Sequence, residues 1–270
     1  MTRDRRGFTL VELIVVSVLG VVVLTAMLQV LITNQRTYTA QSAVVEGQQS
    51  TRMALEVLFN ELREASPAGG DLLVMTSDSV KVRLMRKFGI GCDTDLDALL
   101  PKMTVLDNSG ADFAEDDSVF VFAENRDATP DDDVWISAEV TAVDTTVTCL
   151  GGRPAIDLEF DLQETLFSTD TVKVGAAVRS FETFTFGMTT VLGDEYLGRR
   201  DDDGFMWPIA GPLRPNDGLE FIYRDALGDV TSTPTDVRQI EVRIRTGTQV
   251  INPVGETVSD SIDAWIYTRN

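Results

Sequence analysis

Histidine is absent from the 270 residues of this chain. Its absence excludes histidine-based catalytic triads, cysteine–histidine dyads and the commonest ligand of protein zinc sites. The sequence also lacks a glycine-rich phosphate loop of the Walker type and a Gly-x-Ser-x-Gly turn. Carboxylate pairs such as Asp157 and Glu159 remain as candidate acid–base groups, but 43 acidic residues make such pairs expected by chance. We therefore expect a protein that is not an enzyme.

Positive charge is scarce, with 23 lysines and arginines against 43 acidic residues and a formal net charge of −20. Residues 1–7 carry three arginines and one aspartate, whereas residues 8–65 carry five acids and three arginines. These two segments cancel, so residues 66–270 hold the −20 by themselves. The basic residues of this part are scattered along the sequence, and its aromatic residues form no cluster. The composition therefore disfavours nucleic acid as a partner.

What the sequence does have is one long apolar run, from residue 13 to residue 32. A run of about twenty apolar residues is enough to span a bilayer as a helix. Because Arg3, Arg5 and Arg6 precede it, we expect a cytoplasmic leader and an exported head. Glu12 lies at the start of the run, where a carboxylate costs on the order of 3 kcal/mol in hydrocarbon unless it is neutralised. Taken alone, these features also fit a signal anchor with one acid near its interfacial end.

The sequence Arg-Gly-Phe-Thr-Leu-Val-Glu at residues 6–12, before unbroken apolar residues, resembles the processing site of type IV prepilins. The resemblance implies that a prepilin peptidase cuts between Gly7 and Phe8 and methylates the new amino group of Phe8. It also implies that the apolar helix stays on the mature protein, whereas an ordinary signal peptide is removed. In pilin-like filaments an acid at the position of Glu12 is thought to meet the N-terminal amine of a neighbouring subunit. We therefore expect Glu12 to support filament assembly with other pilins, because opposite charges attract strongly where water is scarce.

Helical periodicity continues beyond the apolar run to residue 65, where the sequence Ser-Pro-Ala-Gly-Gly ends it. Apolar side chains recur there at steps of three and four and predict one buried face: Leu55, Leu58, Phe59 and Leu62. Gly47 is predicted to be a soft point that costs about 1 kcal/mol relative to alanine. We expect residues 8–65 to form one helix, with residues 8–33 in the membrane or filament core and the rest packed on the head.

After residue 70 the period changes to two, as in the alternation of apolar and polar residues from Val80 to Met85. Similar patterns predict strands at residues 118–124, 134–143, 146–150, 157–162, 171–175, 177–188, 219–224, 237–246 and 262–268. A helix followed by strands predicts an α+β fold, in which the long N-terminal helix packs on a mainly antiparallel β-sheet. We expect residues 66–270 to form one head domain with a soft boundary near residue 150.

The strand at 237–246 and the closing sequence at 263–270 are similar to those of large minor pilins of the PilW type and of the J-type pseudopilin of type II secretion. The resemblance implies a minor pilin that enters, or primes, a type IV pilus-type filament; a pseudopilin is the alternative. It also implies a single-pass inner-membrane protein with a periplasmic head, which later becomes part of an extracellular filament. A pilus-associated adhesin whose head binds host glycans is a further alternative.

Cys92 and Cys149 are the two cysteines of the chain. An even pair in an exported domain indicates a disulfide bond. Two free, buried thiols are the alternative.

Three acidic segments are candidates for structural calcium, because calcium prefers six to eight oxygen ligands. They are Asp93, Asp95 and Asp97; Asp131, Asp132 and Asp133; and Asp201, Asp202 and Asp203 before Gly204. None completes the calcium-loop pattern of the EF-hand, so solvated loops are the alternative. No other cofactor is expected.

The three tryptophans divide into two groups. Trp135 and Trp265 lie in strand-like runs, and we predict that both belong to the core. Trp207 lies in a loop-like segment with Pro208 and Pro212. An exposed apolar patch there is a candidate partner surface.

Overall fold

A computed structural model describes residues 9–95, 101–107, 112–124, 133–163, 172–201, 204–251 and 257–269. Within these ranges the chain forms one α-helix, α1 (Leu10–Leu62), followed by strands that pair antiparallel. The strands are β1 (Leu72–Met75), β2 (Ser79–Asp95), β3 (Lys102–Leu106), β4 (Ser118–Ala123), β5 (Val134–Asp144), β6 (Ala155–Leu162), β7 (Ala177–Val191), β8 (Asp194–Asp201), β9 (Trp207–Leu213), β10 (Leu219–Arg224), β11 (Gln239–Ile251) and β12 (Thr257–Tyr267). The predicted α+β class, with a long N-terminal helix on an antiparallel sheet, is confirmed.

The helix α1 begins with a capping box. The Thr9 hydroxyl accepts a hydrogen bond from the Glu12 amide, and the Glu12 carboxylate accepts one from the Thr9 amide, each at 3.3 Å. The helix continues for 53 residues, which is about 80 Å at 1.5 Å per residue. A 3₁₀ turn at Pro67–Gly69 follows its end, and Gly70 has a φ of 77°, which favours glycine. The Ser-Pro-Ala-Gly-Gly sequence therefore ends the helix as predicted.

The C-terminal half of α1 packs on β9, β11 and β12. Its buried stripe combines small and apolar residues: Ala40, Ala43, Gly47, Thr51, Ala54, Leu58 and Leu62. The prediction that Phe59 belongs to this stripe is wrong, because Phe59 is 42% exposed. Gly47 was predicted only as a soft point, but an added Cβ would lie 3.0 Å from Thr246 Oγ1. The missing side chain therefore lets the helix approach β11 closely.

Six strands close into a small barrel, in the order β2, β3, β6, β5, β4, β7 and back to β2. Side chains fill its interior: Met103, Val105, Phe113, Val119, Val121, Ala138, Val140, Ile156, Leu158, Phe160, Ala176 and Val178. Gly89 and Gly91 of β2 face this interior. An added Cβ would lie 2.3 Å from Val105 Cγ1 at Gly89 and 2.1 Å from Met103 Cε at Gly91. The two glycines thus leave the space that the side chains of β3 occupy.

The remaining strands form a second sheet, which we call the stem sheet because it packs on α1. It runs in the order β1, β2, β7, β8, β9, β11, β10, with β12 on the other edge of β11. The strands β2 and β7 are shared with the barrel. The register of β2 shifts between Met85 and Phe88. Before the shift Val82 and Leu84 are buried, and after it the two barrel glycines are buried.

Buried residues therefore form two main clusters, one between α1 and the stem sheet and one inside the barrel. The boundary between the two clusters runs across β2 and β7, the strands that the two sheets share. Residues on both sides of position 150, such as Val140 and Ile156, belong to the barrel cluster.

Two of the predicted strands are wrong. Residues 146–150 form a turn with one isolated bridge between Thr148 and Pro154, because Gly151 and Gly152, at φ of 91° and 75°, reverse the chain. Residues 172–175 lead into a turn rather than a strand, and residue 171 lies outside the described residues. The segment at Trp207, predicted as a loop, instead begins β9.

Candidate functional site

The candidate site is the N-terminal end of α1. There the Glu12 carboxylate turns back along the helix and accepts hydrogen bonds of 3.3 Å from both the amide and the hydroxyl of Thr9. Gly7 and Phe8, the predicted processing residues, lie outside the described residues. The capping box therefore holds the carboxylate beside the residue that follows Phe8, and both bonds are long enough for a stronger donor to compete with them.

The apolar half of α1 is not packed against the head. An apolar window of this helix is long enough to cross a membrane, and none of that window is buried within the fold. The hydroxyls of Ser17 and Thr25 donate to the carbonyls of Ile14 and Val21, each at 2.8 Å. These polar side chains are satisfied inside the helix, as a hydrocarbon environment requires.

A comparison with protein families matches residues 2–28 to the prokaryotic N-terminal methylation motif. The chain is type IV pilin-like. Its motif implies processing by prepilin peptidase and assembly with other pilins, and its exposed apolar helix fits anchoring in the inner membrane. The match covers 27 of the 270 residues of the pilin-like chain and does not reach the head. No curated protein and no solved structure matches the chain.

The head of this pilin-like chain is cross-linked at the barrel. Cys92 of β2 forms a disulfide bond with Cys149 in the turn after β5, with their Cα atoms 5.8 Å apart. The predicted pairing is therefore present, and it ties β2 to a loop 57 residues further along the chain.

The calcium candidates fall only partly within the described residues. Asp97, Asp131, Asp132, Asp202 and Asp203 lie outside them. Of the others, Asp93 accepts a hydrogen bond from the Thr94 amide at 2.9 Å. The Asp201 Oδ1 atom lies 3.8 Å from Arg199 Nε. In the described ranges no three acidic or thiol side chains are grouped so that they could hold a metal ion. Calcium binding stays a prediction.

The acid pair on β6 is engaged in packing the strand. Asp157 accepts a hydrogen bond from Thr104 at 2.7 Å and lies 3.6 Å from Lys102, both on β3. The carboxylate therefore joins two barrel strands, and Glu159 lies two residues along the same strand.

The predictions for the tryptophans are confirmed for the exposed patch at Trp207 and wrong for the other two residues. Trp207 is 64% exposed and contacts Phe205 edge to face, so an exposed aromatic patch is present on β9. The prediction that Trp135 and Trp265 are core residues is wrong, because they are 37% and 53% exposed. Each alternates with a buried isoleucine on its strand and so occupies the outer face of its sheet.

An ion-pair network on the outer face of the stem sheet was not predicted. Glu241, 4% exposed, accepts from Arg224 and from Arg243, each at 2.6 Å. The hydrogen bond from Arg224, with further contributions from Arg243, lowers the pKa of the Glu241 carboxyl. Glu220 adds longer contacts to Arg243 and Arg245. The alternating charges along β11 indicated a charged outer face. The pairing of these charges with residues of β10 depends on the register of the two strands, which the sequence does not show.

Proposed function

We propose that this chain is a minor pilin that enters, or primes, a type IV pilus-type filament. One observation carries the proposal: α1 is a single helix whose apolar half is free of the head and whose other half is packed into it. Such a helix leaves one end for the membrane and then for the filament core, while the head remains outside. No catalytic role is included.

The proposed sequence of events starts at the leader. Prepilin peptidase hydrolyses the Gly7–Phe8 amide, and the new amino group of Phe8 is methylated. In the filament, the amine of one subunit then meets the Glu12 carboxylate of a neighbour. The competing bonds from Thr9 are long, so an ammonium group, with its stronger charge-assisted bond, replaces them readily.

The size of the head supports a tip or priming position. A barrel added to a stem sheet makes a bulky subunit, and bulky heads are hard to stack in every turn of a shaft. This step rests on analogy at the level of the fold. It is compatible with the PilW type and with the J-type pseudopilin.

The first test is the intact mass of the protein extracted from membranes. We expect a chain that begins at Phe8, carries one added methyl group and retains the disulfide. A mature chain that begins anywhere else refutes the proposal.

The second test follows incorporation into sheared filaments. Glu12→Ala is expected to reduce incorporation strongly while membrane insertion is unchanged. Glu46→Ala, which removes an exposed carboxylate from the same helix, is the matched control and should incorporate normally. Equal incorporation of both variants excludes the role of Glu12.

The pseudopilin alternative is distinguished by a deletion strain. Loss of piliation with normal protein secretion supports the minor pilin, and the reverse result supports the pseudopilin. The exposure of Trp207 favours a second candidate, an adhesin that binds glycans. A glycan array with the wild type and Trp207→Ala tests it, and equal signals exclude that site.

A further inference from the structure

The barrel has an apolar outer face across four neighbouring strands. Register places Phe88 of β2 opposite Arg179 of β7, and Arg179 opposite Phe120 of β4. Phe122 of β4 lies opposite Trp135 of β5. We call this surface the barrel face and define it by six residues: Phe88, Ile90, Phe120, Phe122, Trp135 and Arg179.

These side chains lie outside the barrel because their neighbours fill it. Val119, Val121 and Val178 alternate with them along β4 and β7 and are fully buried in the interior. In contrast, Phe88 is 47% exposed, and Ile90 and Trp135 are each 37% exposed. Phe120 is 9% exposed, because Arg83 and Arg179 cover its ring. Among the described residues, α1 packs mainly on β9, β11 and β12 of the stem sheet rather than on these four strands. A soluble head normally places polar residues at such positions, so an apolar face of this kind marks an interaction surface.

Arg179 is the charged residue of the barrel face. Its guanidinium carbon lies 4.3 Å from the ring centre of Trp135 and 5.3 Å from that of Phe120. The Nε atom is buried without a hydrogen-bond partner, and within the described part of the chain Arg179 forms no ion pair. Burial lowers the pKa of Arg179. Nearby Arg269 and Arg83 lower this pKa further, whereas Asp71 raises it. Among the described residues, the half-buried guanidinium therefore has one acid in its vicinity but no acceptor in direct contact.

The neighbouring arginine shows the contrast. Arg83 also stacks on Phe120, at 4.5 Å, but its Nε bonds Asp71 at 3.1 Å. Within the described residues, Asp71 thus binds one stacked arginine directly, while the other has no hydrogen-bonded acceptor. Stacking of a guanidinium on aromatic rings leaves the N–H groups at its edge, where they match the two oxygens of a carboxylate.

We propose that the barrel face is a docking surface for a protein segment that presents apolar side chains around one carboxylate. The apolar residues set the area of contact, and Arg179 selects the acid. A nucleic acid or an anionic membrane needs a row of unpaired cations, whereas this face supplies one on a head of net charge −20. The proposal does not depend on the role of the chain in a filament.

The test uses the full chain, labelled with 5-fluorotryptophan and held in nanodiscs of zwitterionic lipid. Two peptides serve as probes, acetyl-Leu-Glu-Leu-amide and its glutamine counterpart, and fluorine resonances are assigned with single Trp→Phe variants. The Trp135 resonance is expected to shift saturably, with a dissociation constant about tenfold lower for the glutamate peptide. The Trp265 resonance, on the outer face of β12, should not shift. Equal affinities for the two peptides, or a Trp135 signal that stays constant, overturn the proposal.

Variants separate the charge from the apolar contact. Arg179→Gln is expected to remove the preference for glutamate, and Arg179→Lys to reduce it. Arg199→Gln is the matched control, since Arg199 stacks on Phe184 of the stem sheet at 4.8 Å, and it should keep the tenfold preference. An unchanged preference in Arg179→Gln overturns the proposal.

Phe88→Ser covers the case in which Arg179→Gln disturbs the fold, as reported by shifts at Trp265. It alters an exposed side chain, and we expect about fivefold weaker binding of both peptides with the preference retained. Unchanged binding overturns the proposal. A Trp135 signal that moves on dilution of the protein alone means that a second copy covers the face, and a signal that moves with anionic vesicles means a lipid surface. Either result also overturns it.

Discussion

Replacing Gly89 by alanine tests the closed barrel. The new Cβ would lie 2.3 Å from Val105 Cγ1, 3.2 Å from Val178 Cγ1 and 3.3 Å from Phe113 Cε2, whereas ordinary contacts begin at 3.4 Å. Val105 would have to move by about 1 Å, and a buried β-branched side chain has few alternative rotamers. We expect a loss of about 1–3 kcal/mol from overpacking, which outweighs the gain of about 0.4–1 kcal/mol from a less flexible unfolded chain.

Hydrogen exchange of the full chain, measured by mass spectrometry, reports this change where it occurs. A loss of about 2 kcal/mol speeds exchange of the protected amides of β3 and β6 by about 30-fold. Gly91→Ala is the matched control: its Cβ meets the flexible end of Met103, so we expect an effect below about 1 kcal/mol. Val105→Ala should partly rescue Gly89→Ala. Unchanged protection in Gly89→Ala, or a double variant as weak as the sum of the single changes, would refute the packing argument.

Three further outcomes are expected. Leu58→Ala should lower the free energy of unfolding by about 2–5 kcal/mol, and Phe59→Ala by less than about 1 kcal/mol, in urea titrations; equal losses would contradict the helix orientation. Glu241→Gln should lower stability more at pH 7 than at pH 3, because hydrogen bonds from two arginines lower the pKa of this carboxyl. Its stabilising effect is then full above the unfolded-state pKa of about 4.3 and is lost as the pH falls through the lower folded-state value. Replacing Cys92 and Cys149 by serine should cost about 2–4 kcal/mol, seen as a lower melting temperature that reductant no longer changes.

The sequence carried enough information for the helix and the fold class. An apolar run, a proline–glycine stop and a change of period from 3.6 to 2 each reflect a single local rule. The orientation of α1 was harder to predict, since four of the seven residues in its buried stripe are alanine or glycine, among them Ala43, Gly47 and Ala54. A pattern based on large apolar side chains does not detect them, and it assigned Phe59 to the wrong face.

The barrel could not be predicted because it depends on pairings between distant residues. The strands β2 and β7 lie about 100 residues apart and are shared by two sheets. A bulge between Met85 and Phe88 then moves the buried positions of β2 from even to odd numbers. Alternation read along one strand does not reveal such a shift.

The barrel face shows a related limit. Basic and aromatic residues scattered over the sequence come together there, with Arg179 stacked on the rings of Phe120 and Trp135. Trp135 was assigned to the core on the assumption that apolar side chains of a strand point inward. Its exposure follows from Ile136, which occupies the inner face beside it.

The charge distribution bears on the position of the chain in a filament. The head carries the −20 of the whole chain. On β10 and β11, Arg224, Arg243 and Arg245 pair with Glu220 and Glu241. Where helices pack side by side so that neighbouring heads lie within the Debye length of about 8–10 Å, two copies of this head would repel each other at physiological salt. In a shaft of identical subunits that repulsion would recur at every contact, whereas one copy among less acidic neighbours would avoid it. Charge and bulk therefore support the same part of the proposed function, a subunit present in few copies.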